Sequence, residues 1–105
     1  MRVNDVLAPV IQEAQAIVNK FPTGKEAMEK GPLPHDQLVL YTTNCRVLHI
    51  AEDVMRRIDE ATEIPDEEVD SVRSSVRLYA SVGGGNLFDN AEYDGWLTSI
   101  SENSL

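Results

Sequence analysis

Hydrophobic residues recur at three- and four-residue steps over residues 3–21, and this spacing predicts an amphipathic helix. Asn4 or Asp5 can cap the start of this helix, or Pro9 can occupy its first helical position. Pro22 follows and ends the helix, because proline cannot continue one. The apolar positions are Val3, Val6, Leu7, Val10, Ile11, Ala14, Ile17, Val18 and Phe21.

The longest apolar pattern covers residues 35–61, after a short helix or single turn predicted over 23–32. On a helical wheel its apolar face is wide, which is typical of a central helix in a bundle. The predicted core positions are Leu40, Val47, Ala51, Val54 and Ile58, with Tyr41, Leu48 and Met55 on one flank and Ile50 and Ala61 on the other.

A third long helix is predicted over residues 64–85, with Pro65 at its first position and three acids complementing the positive end of the helix dipole. Val69, Val72, Val76 and Tyr79 form its apolar stripe, and Gly83–Gly85 end it. A shorter helix is predicted near residues 90–101. The sequence therefore predicts an all-α fold: one domain over 1–105, a small bundle of three longer helices plus a short C-terminal helix.

Charge is distributed unevenly along the chain, which has 18 acids, nine bases and a net charge of −9. Residues 1–58 carry seven of each sign, whereas residues 59–105 carry eleven acids and only two bases, Arg73 and Arg77. Such a half repels nucleic acid phosphates and anionic membranes. It favours a protein partner with a basic surface, and it argues against direct contact with nucleic acid or membrane.

The segment 59–70 contains seven acids and no base. They can stabilise the helix dipole and keep the protein soluble, or dock on a basic partner, or bind a divalent cation. A metal-dependent enzyme would need a companion carboxylate cluster on another helix, and the sequence offers none. We predict partner binding by Asp59, Glu60, Glu63, Asp66, Glu67, Glu68 and Asp70.

The predicted C-terminal helix places aromatic residues among acids. Tyr93 and Trp96 have the spacing of a helix that anchors in a partner's groove, and both residue types are frequent hot spots. The alternative is that this helix closes the protein's own core. We include Tyr93, Asp94 and Trp96 in the predicted partner-binding set.

Potential metal ligands occur at helical spacing in the stretch CRVLHIAEDVMRR, residues 45–57. Cys45, His49 and Asp53 all project away from the predicted core face, and neighbouring arginines crowd them with positive charge. We therefore favour a solvated helix face over a partner contact or a zinc site, because one helix rarely supplies a closed tetrahedral ligand set. The prediction is no metal, no cofactor and no catalytic residue.

A single cysteine fits a reducing compartment, and no apolar run approaches a membrane span or a signal peptide. We expect a cytoplasmic, non-enzymatic, acidic binding protein, most simply an inhibitor or regulator. Bacterial immunity proteins and phage-encoded inhibitors offer an analogy in size and charge alone. The alternatives are a homo-oligomeric structural or adaptor module, with a homodimer burying excess apolar surface of residues 40–61, and a carboxylate-metal-dependent enzyme.

Overall fold

The computed structural model describes residues 1–82 and 91–102, and they form five helices. These are α1 (Val3–Val18), α2 (Gly24–Lys30), α3 (His35–Arg57), α4 (Asp66–Val82) and α5 (Ala91–Glu102). The described residues form no strand, so the all-α prediction is confirmed: three longer helices pack together, with a short helix at the C-terminal side. The predicted Gly83–Gly85 helix end lies outside the described residues.

Helices α1 and α3 run antiparallel and contribute half of the buried hydrophobic residues. The first turn of α1 lies beside Thr62, beyond the end of α3, and the end of α1 lies beside the start of α3, where the rings of Phe21 and Tyr41 are 5.3 Å apart. Helix α4 packs against both. The buried hydrophobic residues of these three helices are Val3, Val6, Leu7, Val10, Ala14, Val47, Ile50, Ala51, Val54, Val69, Val72, Val76 and Ala80.

The connection from α3 to α4 is held against the beginning of the chain. The backbone N–H of Ile64 donates to the carbonyl of Met1 at 2.7 Å, and the N–H of Val3 donates to the carbonyl of Thr62 at 3.2 Å. The side chain of Ile64 is buried beneath this pairing. The connection is therefore a fixed part of the fold.

The opposite end of the molecule is much less covered. Helix α2 has no buried residue, and the buried residues of α3 begin only at Val47. Arg46 donates to the carbonyl of Ala80 at 3.3 Å, which places the last turn of α4 near the middle of α3. The first three turns of α3 thus carry no buried side chain.

This geometry corrects part of the predicted core face of α3. Leu40 was predicted as core, but it is 46% exposed, because it lies in the part of α3 that precedes the first buried residue, Val47. Ile50 was predicted at the flank, but it is fully buried because α3 packs on α1 and α4 at once. The helix ends at Arg57 rather than near residue 61, since Ile58 has extended backbone angles (φ −104°, ψ 133°) while its side chain stays buried.

Candidate partner-binding surface

The seven acids of residues 59–70 lie on the α3–α4 connection and the first two turns of α4, and we call them the acidic surface. All are exposed except Glu68, which is half-buried. Asp66, Glu67 and Glu68 occupy the first turn of α4, where backbone N–H groups point outward and favour negative charge. The start of α4 thus stabilises several neighbouring negative charges.

Few of these acids are neutralised by the rest of the protein. Glu63 pairs with the N-terminal ammonium of Met1 at 3.0 Å, and the Asp59 carboxylate accepts a turn hydrogen bond from the N–H of Ala61 at 2.8 Å. Within residues 1–82 and 91–102, the other six acids of the acidic surface form no ion pair. Their charge is available to an external cation.

The five arginines of α3 and α4 are instead used inside the protein. The Arg73 Nε donates to the carbonyl of Val6 at 2.8 Å, and Arg77 pairs with Glu13 at 3.3 Å. Arg46 donates to a backbone carbonyl of α4, and the last two arginines of α3 pair with carboxylates away from the acidic surface. The nearby positive charge therefore stabilises the fold and leaves the acidic surface negative.

Asp53 is buried, so its predicted place on a solvated helix face is wrong. Its carboxylate is 4% exposed and accepts hydrogen bonds from the Tyr93 hydroxyl at 2.8 Å, from Arg57 at 3.3 Å and from Arg56. The cause is α5, which covers this side of α3 and supplies a hydroxyl donor. Of the other residues in that stretch, His49 is exposed and Cys45 is half-buried.

Tyr93 lies in the protein's own core, which corrects its predicted role as a partner anchor. Its side chain has no exposed surface and packs edge-to-face on Tyr79 with ring centroids 5.4 Å apart. Trp96 is only partly buried, and Asp94 pairs with Arg57 at 3.0 Å. Of the predicted anchors on α5, Trp96 and Asp94 keep accessible surface and Tyr93 has none.

Burial raises the pKa of the Tyr93 hydroxyl above its ordinary value, and the hydrogen bond to the Asp53 carboxylate raises it further. The unfolded state can lose this proton above about pH 10, whereas the folded state retains it. Tyr93 therefore stabilises the fold fully below about pH 10, and this stabilisation is lost as the pH rises from there toward the folded pKa.

We expect the free energy of unfolding to fall more steeply above pH 10 in the native protein than in Tyr93→Phe. The difference in slope is about 1.4 kcal/mol per pH unit, the value for one proton. Denaturant titrations of both proteins between about pH 8 and pH 11 measure it. Equal slopes would contradict the role assigned to the buried hydroxyl.

The described residues show neither a metal cluster nor a membrane helix. Among them, no group of three or more His, Cys, Asp or Glu side chains is placed to hold a metal ion. No helix in the described part of the chain combines the length and the apolar character that a membrane span requires. In comparisons with known proteins, no family model, curated protein or solved structure matched the chain.

Proposed function

We propose that this protein is a non-enzymatic binding protein that docks its acidic surface on a basic surface of a protein partner. The observation that carries the proposal is a set of six acids that have no ion pair among the described residues. They lie on a connection fixed by backbone hydrogen bonds and on the start of α4. Neutralisation by a partner would remove the repulsion among these carboxylates. The protein would act as an inhibitor or regulator of that partner.

The fixed connection supports recognition over simple solubility. Solubility requires only that acids be exposed, whereas specific docking benefits from acids held in one arrangement before binding. The pairing of Ile64 with Met1 and the start of α4 at Asp66 hold the acids in this way. A partner would meet a prearranged surface. Binding would therefore cost this protein little backbone conformational entropy.

The charge also suggests which kind of partner would bind. Basic protein surfaces commonly serve to hold nucleic acid phosphates, and a dense acidic surface competes for the same lysines and arginines. We therefore place nucleic-acid-handling proteins first among the partners. Long-range attraction would raise the association rate, and added salt would lower it.

The test compares two charge-matched variants in a nuclease-treated pull-down from the host. Glu67→Gln with Asp70→Asn removes two charges from the acidic surface, and Glu29→Gln with Asp36→Asn removes two exposed charges from the other end. We expect the native protein and the second variant to retain one basic protein at low salt. The first variant should bind it about tenfold more weakly, as expected for losing two contacts of about 0.7 kcal/mol each.

Affinities measured with the purified partner complete the experiment. Moderate salt should weaken the native complex mainly through a slower association rate. The partner should release its bound nucleic acid when the complex forms. Salt-independent binding, or equal loss in both variants, would show that the acidic surface is not the docking site.

A further inference from the structure

The geometry points to self-association: we infer that the end of the molecule remote from the acidic surface binds a second copy of this chain. This end, which we call the apolar end, comprises the C-terminal turn of α1, all of α2 and the first turns of α3. Its exposed apolar side chains are Met28, Leu38, Val39 and Leu40. The inference goes beyond the proposed docking of the acidic surface and uses different residues.

Helix α2 gains little stability from its own fold. It has seven residues, none of them buried, and Met28 at its centre is 85% exposed. Isolated helices shorter than about 12 residues are marginal in water. A second copy packed on Met28 would supply the apolar contact that α2 lacks in the monomer.

The start of α3 has the same incomplete packing. Leu38, Val39 and Leu40 are consecutive, so they point in directions that span about 200° around the helix, and each is close to half exposed. Only part of this circumference faces α1 and α2. The rest remains an exposed apolar surface.

Concave apolar surface lies beside these protruding side chains. One open cavity of about 550 Å³ is lined by Phe21, Pro22, Leu33 and Leu40 among others. A second of about 330 Å³, on the Leu38 side of α3, shares Phe21, Pro22 and Leu33. Protrusions and cavities on one patch are what a two-fold symmetric contact requires, since each copy must supply both.

Charge favours a second copy over a charged partner at this place. Residues 20–41 contain Lys20, Lys25, Lys30, Glu26, Glu29 and Asp36, which sum to zero, while the protein as a whole carries −9. Two copies can therefore meet here with little repulsion. The acidic surfaces would stay apart by more than the length of α3, about 35 Å for 23 residues, far beyond the Debye length of about 8 Å.

The size of the patch indicates a weak, reversible dimer. The patch is small, with only four exposed large apolar side chains, and patches of a few hundred Å² on monomers often have a function. Stable dimers of standard size bury about 800 Å² on each partner. The expected dissociation constant is micromolar or weaker.

Sedimentation equilibrium of the native chain at concentrations from about 1 µM to 1 mM is the test. The weight-average mass should rise from 11.7 kDa toward twice that value. Met28→Lys and Val39→Lys should each weaken association by at least about tenfold, because a charge would be buried in the contact. Leu78→Lys, at a residue of α4 that is 59% exposed, is the matched control and should associate as the native chain does.

Salt dependence separates this proposal from docking of the acidic surface. Self-association should be unchanged or strengthened by salt, which screens repulsion between two chains of −9, whereas binding of a basic partner should weaken. A monomer at every concentration would overturn the proposal and leave the apolar end to a different partner. A dimer insensitive to Met28→Lys and Val39→Lys, or disrupted by Leu78→Lys, would overturn it as well.

Discussion

Replacing Asp53 with alanine is expected to lower the free energy of unfolding by about 3 kcal/mol. The Tyr93 hydroxyl would lose its charged acceptor and remain buried, which costs about 1–3 kcal/mol beyond the lost bond. Loss of the ion pairs to Arg56 and Arg57 would add little to this cost. Their side chains are 72% and 40% exposed, so both guanidinium groups can be solvated by water instead. Chemical denaturation followed by circular dichroism measures the change.

Two further variants separate the hydrogen bond from the charge. Asp53→Asn keeps an oxygen acceptor for Tyr93 and should cost only about 1 kcal/mol. Asp94→Ala removes a half-exposed carboxylate that also pairs with Arg57, and should cost less than about 1 kcal/mol. If Asp53→Asn proved as damaging as Asp53→Ala, the ion pairs and not the Tyr93 hydroxyl would be the stabilising contact.

Replacing Ile64 with alanine is expected to cost about 3 kcal/mol as well. Ile64 is 2% exposed, and its truncation leaves a cavity beneath the α3–α4 connection. The backbone bonds between this connection and residues 1–3 lie directly over that cavity, so they should open more readily. Hydrogen exchange at the amides of Ile64 and Val3 should accelerate together with the loss in stability measured by denaturant.

The control for this prediction is Leu78→Ala. Leu78 is 59% exposed, so removal of the same kind of side chain should change the free energy of unfolding by less than about 0.5 kcal/mol.

Ile64→Ala should also weaken binding of a basic partner, although no charge has changed, because the acids lose their fixed arrangement. Unchanged exchange at both amides would mean that the connection is held by other contacts.

The sequence was a good guide to the buried faces of α1 and α4. The three- and four-residue spacing in α1 predicted its buried face, and Val69, Val72 and Val76 of α4 are buried as expected. In such helices the buried arc is narrow, so apolar residues alone mark it. The same hydrophobic spacing makes the type of element predictable. The observed helix ends, however, differ from the predicted ones by a few residues.

For α3 the sequence was only a partial guide. Four of its five predicted core residues are buried, namely Val47, Ala51, Val54 and Ile58. The buried residues of α3 span a wide arc that includes a carboxylate, Asp53. The helical-wheel prediction missed it, because it assigned every polar residue of this helix to solvent. The deciding partner, Tyr93, lies 40 positions further along the chain, beyond the reach of local spacing. Three consecutive apolar residues, Leu38 to Leu40, were a signal of an incompletely covered helix, because no single face can hold all three.

The excess of acids was visible in the sequence, but the sequence did not show which of them lack partners. Residues 59–70 and the arginines of α3 and α4 could have paired with one another in the fold. The fold places those arginines on carbonyls and on other carboxylates. The interpretation of the acidic surface as a docking site stays a prediction, since it depends on a molecule that the sequence does not encode.

The placement of charge along the molecule has a consequence for how it would approach a partner. The principal extents are 52 × 25 × 21 Å, and the acidic surface and the neutral apolar end lie at opposite ends of α3. This separation would give the protein an electric dipole along its length. In the field of a basic surface the molecule would rotate before contact, so that most encounters would begin with the acidic surface foremost.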